Sequence, residues 1–168
     1  MTRSFRRLTT GVNADGKSTL VDEAEIAEGE LGNFNLWMTR PEGKDGAADM
    51  PFFPPPGATT FRVVRLPPPD PAMTPEDLAK LTAEFFAGVG SPACRRDTSR
   101  HPFMHVTPTT DYIMLLEGEI SLLLDTGEPI PLRPFDAVVQ RATNHAWLVT
   151  GDKPAIFLAV MTGAASAS

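Results

Sequence analysis

Apolar and polar positions along the chain come in short runs separated by proline and glycine. Seven runs are rich in β-branched and aromatic residues: Phe34–Thr39, Thr59–Leu66, Tyr112–Leu116, Ile120–Leu124, Ala137–Val139, Ala146–Val149 and Ala155–Met161. Runs of this length, bounded by turn formers, predict strands. The seventeen prolines cluster between them, at Pro54–Pro56 and Pro67–Pro69 above all. Proline fixes φ and lacks a backbone donor, so each cluster marks a connection. Asp125–Gly127 and Thr150–Asp152 carry the chemistry of hairpin turns. One segment, Thr74–Gly88, breaks the pattern and predicts a helix near 75–87. Thr74 suits the N-cap, Pro75 the first helical position and Gly88 the C-terminal cap. Leu78, Leu81, Thr82, Phe85 and Phe86 recur at the spacing of one helix face, a packing stripe for a sheet. Many short strands and one helix predict an all-β sandwich or barrel. The expected organisation is a single domain over 1–168, with a strand arm in 1–70 and the barrel centre in 100–162.

The length of 168 residues suits one domain with a real core. No run approaches the roughly 18–20 apolar residues of a membrane span, and the basic start lacks the apolar stretch of a secretory signal. A soluble, cytoplasmic protein without a membrane partner is expected. The formal charge of −6, with basic residues scattered among acids, argues against a nucleic-acid partner. A lone cysteine, Cys94, excludes an intrachain disulfide framework.

Gly11-Val-Asn-Ala-Asp-Gly16-Lys17-Ser18 matches the phosphate-loop pattern at every fixed position. That chemistry needs a buried strand before the loop and a helix after it. Phe5–Thr10 is too short and basic for the strand, and Thr19–Ala24 carries no helical stripe. The segment reads as a β-turn with Gly16 at positive φ, and no nucleotide-binding residue is assigned.

Residues 101–149 carry the candidate chemistry. Strand alternation puts His105 and Thr107 on one face, Asp111 with Ile113 and Leu115 on another, and His145 with Trp147 and Val149 on a third. If these faces point into the barrel, two imidazoles and a carboxylate converge in an apolar cavity. Two His and one carboxylate with open positions suit a divalent metal such as Fe, Mn, Ni or Zn. The same residues without a metal suit acid–base or hydrogen-bonding chemistry, or a structural polar cluster that satisfies itself. Gln140 and Trp147 are further candidates for the pocket lining, Trp147 serving equally well as core packing. Tyr112 is expected to point away from Asp111, and His101 to lie on the surface.

This segment resembles the cupin superfamily. The first cupin motif runs G-x5-H-x-H-x3,4-E-x6-G, and His105-x-Thr107-x3-Asp111-x6-Gly118 keeps its spacing, with Thr and Asp replacing a His and the Glu. The second, G-x5-P-x-G-x2-H-x3-N, is looser: His145 remains, and Val149 stands where Asn is usual. The strings H-x-T-x3-D-Y and Q-R-x-T-N-H-A-W are similar to those of small single-domain cupins. The resemblance implies a jelly-roll barrel, the double-stranded β-helix, with a pocket for a small organic ligand. It implies a divalent metal on His105, Asp111 and His145, one ligand short of the usual set, with Thr107, Gln140 and Trp147 beside it. It implies either an enzyme (a lyase, decarboxylase, isomerase or dioxygenase acting on a small carbonyl or phenolic compound) or a metal-free, non-catalytic binding module. No catalytic role is assigned to any one residue. A homodimer is also expected, because cupins commonly pair through amino-terminal strands and because Phe34, Leu36 and Trp37 read as an uncovered apolar edge.

Overall fold

A computed structural model describes residues 3–164 of the chain. Strand β1 (Ser4–Val12) and strand β2 (Ser18–Ala27) form an antiparallel hairpin. At its turn the Asn13 Oδ1 accepts the N–H groups of Asp15 and Lys17 at 3.0 and 2.9 Å, and Gly16 takes φ 75°. Ser18 therefore opens a strand where a phosphate loop needs a helix.

Strands β3 (Asn33–Thr39) and β4 (Thr59–Leu66) follow, then helix α1 (Pro75–Gly88). The remaining strands are β5 (Thr109–Glu117), β6 (Ile120–Leu124), β7 (Ile130–Leu132), β8 (Ala137–Arg141), β9 (His145–Val149) and β10 (Ala155–Gly163). They build a five-stranded sheet in the order β3-β4-β10-β5-β8 and a three-stranded sheet in the order β7-β6-β9. Every pairing is antiparallel. The all-β class read from the strand runs therefore holds, with α1 as the one α-helix among the described residues.

Strand alternation sends Ile113 and Leu115 of β5, and Phe157 and Ala159 of β10, into one core with Ile120 of β6 and half-buried Trp147 of β9. This core lies between the two sheets. On the outer side of the five-stranded sheet, Phe5 and Ile26 of the hairpin cover Phe34, Leu36, Val63 and Ile156. The apolar edge expected at Phe34 and Leu36 is thus buried within its own chain, so it supplies no reason to associate. A Phe or Leu side chain removed from water contributes roughly 1.5–3 kcal/mol, which is what docks the hairpin.

Thr74 caps α1 through a reciprocal box with Asp77: the Asp77 N–H donates to Thr74 Oγ1 at 3.1 Å, and the Thr74 N–H donates to the Asp77 carboxylate at 3.3 Å. Thr82 and Phe86 are buried, whereas Leu81 is 45% exposed, so the inward stripe is narrower than its spacing predicts. Gly88 is the last helical residue, and Gly90, at φ 67°, takes the left-handed position expected of it.

Asp125–Gly127 does connect the paired strands β6 and β7. Thr150–Asp152 does not form a hairpin, because β9 and β10 belong to different sheets. Gly118 makes another crossing, from β5 to β6, and the chain crosses again from β7 to β8 and from β8 to β9. Its φ is 84°, and a Cβ there would stand 2.7 Å from the Pro154 carbonyl oxygen and 2.8 Å from the Ala155 Cα. Both obstacles are backbone. Gly118→Ala is expected to cost about 2–4 kcal/mol, combining left-handed strain with overpacking. Urea unfolding within 1 kcal/mol of wild type (about the ordinary mutational noise) would show that the crossing relaxes.

Candidate functional site

His105 and His145 come together through backbone pairing. Each donates its N–H to the other's carbonyl, at 2.9 and 3.0 Å, forming an isolated antiparallel bridge that joins residue 105 to β9. Their ring centroids are 4.5 Å apart. The His105 Nδ1 lies 2.8 Å from the Phe103 carbonyl, and the His145 Nδ1 lies 3.0 Å from the Thr143 carbonyl. A carbonyl only accepts, so each Nδ1 carries the proton and each neutral ring keeps a bare Nε2. Burial pushes the His145 pKa down to about 3, with the neighbouring His105 adding to it. Burial also lowers that of His105. Both rings are therefore neutral near pH 7.

Aromatic side chains surround the pair. Phe86 and Phe52 stand 5.1 and 5.9 Å from the His105 ring, and Trp147 stands edge-on 5.7 Å from His145. Trp147 continues onto Phe157 at 5.6 Å, so it joins the pair to the core between the sheets.

Asp111 stands apart from the pair, on the five-stranded sheet, opposite Gln140 of β8 and Met161 of β10. It is 4% exposed, and its Oδ1 has no hydrogen-bond partner. Burial raises its pKa to about 6, against the opposing pull of Thr109 and of the charge on Arg62. Among the described residues no three His, Cys, Asp or Glu side chains stand close enough to hold one metal ion. Thr107 is buried and its hydroxyl accepts from Thr109 Oγ1 at 2.8 Å, while Gln140 Nε2 donates to the Thr143 carbonyl at 3.2 Å. Tyr112 is exposed, pointing away from Asp111 as alternation requires. His101 is half-buried rather than on the surface: its Nδ1 accepts the Phe103 N–H at 3.2 Å, and burial lowers its pKa.

The sequence reading missed Arg62. It is 4% exposed on β4, and its Nη2 and Nη1 donate to the carbonyls of Pro51 and Phe52 at 2.7 and 3.3 Å. Burial lowers its pKa to about 10, so it stays charged at neutral pH. The signal was available: Arg62 lies two residues from Thr60 and Val64 on a strand whose alternation should have placed all three on one face. A cleft of about 260 Å³ ends on Arg62, walled by Phe52, Met50, Asn33, Gly88 and Val89. His105, Asp111 and His145 do not line it, and the Phe52 ring that does line it also packs on His105.

Two facing antiparallel sheets, between which the chain crosses repeatedly from β5 onward, are the all-β barrel architecture that the strand pattern and the motif spacing implied. Known proteins add local likenesses. No protein-family model matches the chain. It is 39% identical over 70 residues to the cupin-domain-containing oxidoreductase fogC of Aspergillus ruber, covering 41% of this chain and 29% of that protein. It is 52% identical over 44 residues to phomopsin biosynthesis cluster protein D of Diaporthe leptostromiformis, covering 26% of this chain and 23% of that one. The match thus spans only about a quarter of these relatives' length. A cupin 2 domain-containing protein from Halorhodospira halophila superposes with a TM-score of 0.44 at 16% identity, over 93% of this chain and 75% of that one. At that score the superposition carries nothing about activity. No helix among the described residues is long and apolar enough to cross a membrane.

Proposed function

We propose that this chain is a small-molecule-binding cupin that acts as an enzyme on a small carbonyl or phenolic compound, using the paired imidazoles as its proton-transfer groups. The observation that carries this reading is the geometry of the pair. Both Nδ1 atoms are tied to carbonyls, both rings are held neutral by burial, and both Nε2 lone pairs stay unprotonated beside an aromatic wall. Such an Nε2 can take a proton from a ligand hydroxyl or from a carbon next to a carbonyl. The imidazolium so formed is costly in this surrounding, so it returns its proton readily.

Cupins imply a divalent ion here, Fe, Mn, Ni or Zn. The two bare Nε2 atoms have the right donor chemistry, and their tethered Nδ1 atoms are the usual support for a ligating histidine. The third donor does not fit: Asp111 is not grouped with them. No step in this proposal is routed through a metal.

The test is solvent-deuterium exchange followed by NMR, with a panel of small ketones, aldehydes and phenols. Wild type should exchange protons next to the carbonyl of at least one member. His105→Ala and His145→Ala should each slow exchange by about 10²–10⁴-fold. The wild-type rate should survive dialysis against a chelator. Binding without exchange or any other conversion would support the non-catalytic alternative. The names of the curated relatives favour oxidation as a second reading; product formation only when an electron acceptor is supplied would establish it.

We also propose a homodimer, formed through the uncovered face of the β1–β2 hairpin, where Leu8, Val12 and Leu20 are exposed. Light scattering should give twice the mass of 18.2 kDa, and Leu20→Lys should return the monomer. A wild-type monomer at micromolar concentration would count against it.

A further inference from the structure

The inner face of the five-stranded sheet carries a polar group that the imidazole pair does not explain. Arg62 stands opposite Asn35 on β3 and Ala159 on β10. Asp111 stands opposite Met161 on β10, which stands opposite Thr60 on β4. Thr60, Arg62 and Asp111 are 0%, 4% and 4% exposed. Arg62 Nε, Thr60 Oγ1, Asp111 Oδ1 and Asn35 Oδ1 are all buried without a hydrogen-bond partner. Nearly all buried polar atoms in folded proteins are paired, and an orphan costs about 1–3 kcal/mol. These four share one face, spread across β3, β4 and β5, and they form a complementary set: one N–H donor, one hydroxyl of either kind and two acceptors.

We propose that Asn35, Thr60, Arg62 and Asp111 form the recognition site for an uncharged hydroxylated carbonyl compound. Its carbonyl oxygen accepts from Arg62 Nε, and its hydroxyl donates to Asp111 Oδ1. The Thr60 hydroxyl donates to a free lone pair of the ligand oxygens, and Asn35 Oδ1 accepts from a second hydroxyl where the ligand carries one. This rests on the reading of the barrel interior as a small-molecule site, and it names the ligand class.

Two physical features set that class. Thr60 is the β4 residue opposite Asp111 across β10, and Arg62 lies two residues further along β4, so the Arg62 and Asp111 Cα atoms stand roughly 11–12 Å apart, two strand spacings across and two residues along. The ligand's polar ends must therefore be held apart by a ring or short chain. The guanidinium and the carboxylate already balance in charge, so a ligand carboxylate would bring an unpaired buried charge. Of the four residues, Arg62 also lines the cleft bounded by Met50, Pro51 and Phe52, which is the side from which the ligand would enter. Arg62 itself holds that segment through the Pro51 and Phe52 carbonyls.

The test uses 4-hydroxyacetophenone, acetophenone and 4-hydroxybenzoate, with calorimetry near pH 7.5 and NMR of the His105 and His145 ring protons. The hydroxy ketone should bind about 10–100-fold more tightly than either control, the range of one hydrogen bond to a charged group. Asp111→Ala should erase its advantage over acetophenone. Arg62→Met should weaken both ketones alike. Because Arg62 also holds the segment bounding the cleft, the Asp111→Ala arm decides if that variant does not fold. Equal binding of all three compounds with shifted imidazole signals would overturn the recognition site and leave the proton-transfer reading standing. So would discrimination that survives Asp111→Ala. No binding and unshifted imidazoles with every compound would overturn both.

Discussion

Phe86→Ala is expected to lower stability by about 3–5 kcal/mol, the usual cost of emptying a Phe site in a packed interior. Phe86 is 1% exposed and meets Phe52, Phe85 and His105 with ring centroids 5.6, 5.2 and 5.1 Å apart. The cavity would open beside His105, so the substitution has a second consequence. Burial is the main cause that holds the His105 pKa down, with the Phe103 carbonyl opposing it. Water admitted beside the ring should move that pKa back up toward the ordinary histidine range. Urea unfolding measures the first effect, and NMR titration of the ring protons measures the second. A destabilised variant whose His105 titrates as in wild type would mean that α1 supports the fold without shielding the imidazole.

Asp111→Asn should reshape the pH dependence of stability. The unfolded chain takes up a proton at residue 145 as pH falls through about 6.5, whereas folded His145 resists until about 3. Acidification across that window therefore removes stability, up to about 4–5 kcal/mol from this residue. His105 acts in the same direction. Asp111 acts in the opposite one: folded, it binds its proton near 6, before the unfolded carboxyl does near 4. Acidification from about 6 to 4 thus returns about 3 kcal/mol. Wild type should show a shallow plateau over that interval, where the two trends offset each other. Asp111→Asn removes the gain, so its stability should fall by about 3 kcal/mol over the same interval. Above pH 7 the variant should be at least as stable as wild type, having lost a buried charge. Parallel stability curves for the two proteins would refute the opposition.

Much of this architecture is legible in the residue pattern because local chemistry and tertiary packing agree. Thr74, Pro75 and Asp77 favour a helix start through contacts made within one turn, and the β-branched run from Thr59 to Leu66 suits a pleated, half-buried surface. The failures occur where the outcome depends on partners distant in sequence. Turn chemistry at Thr150–Asp152 tells the chain to reverse and does not say which sheet receives it. Pro131 hides a short strand, because a proline is tolerated where its missing donor is not needed by the ladder. The histidine pair was readable from spacing, since alternation places residues 105 and 145 on inward faces. The separation of Asp111 from it was not, because the distance across a barrel follows from how the sheets close.

The two tryptophans lie on different sides of this architecture. The Arg7 guanidinium sits 5.2 Å over the ring of Trp37, where the hairpin docks, whereas Trp147 lies beside His145 in the interior. Each is thus a private optical channel. With Trp37→Phe, the remaining emission reads the interior alone, and a protonated imidazole or a stacked ligand next to Trp147 would quench it. With Trp147→Phe, the surviving signal follows undocking of the hairpin, so one cuvette can time the opening of the arm separately from the filling of the barrel.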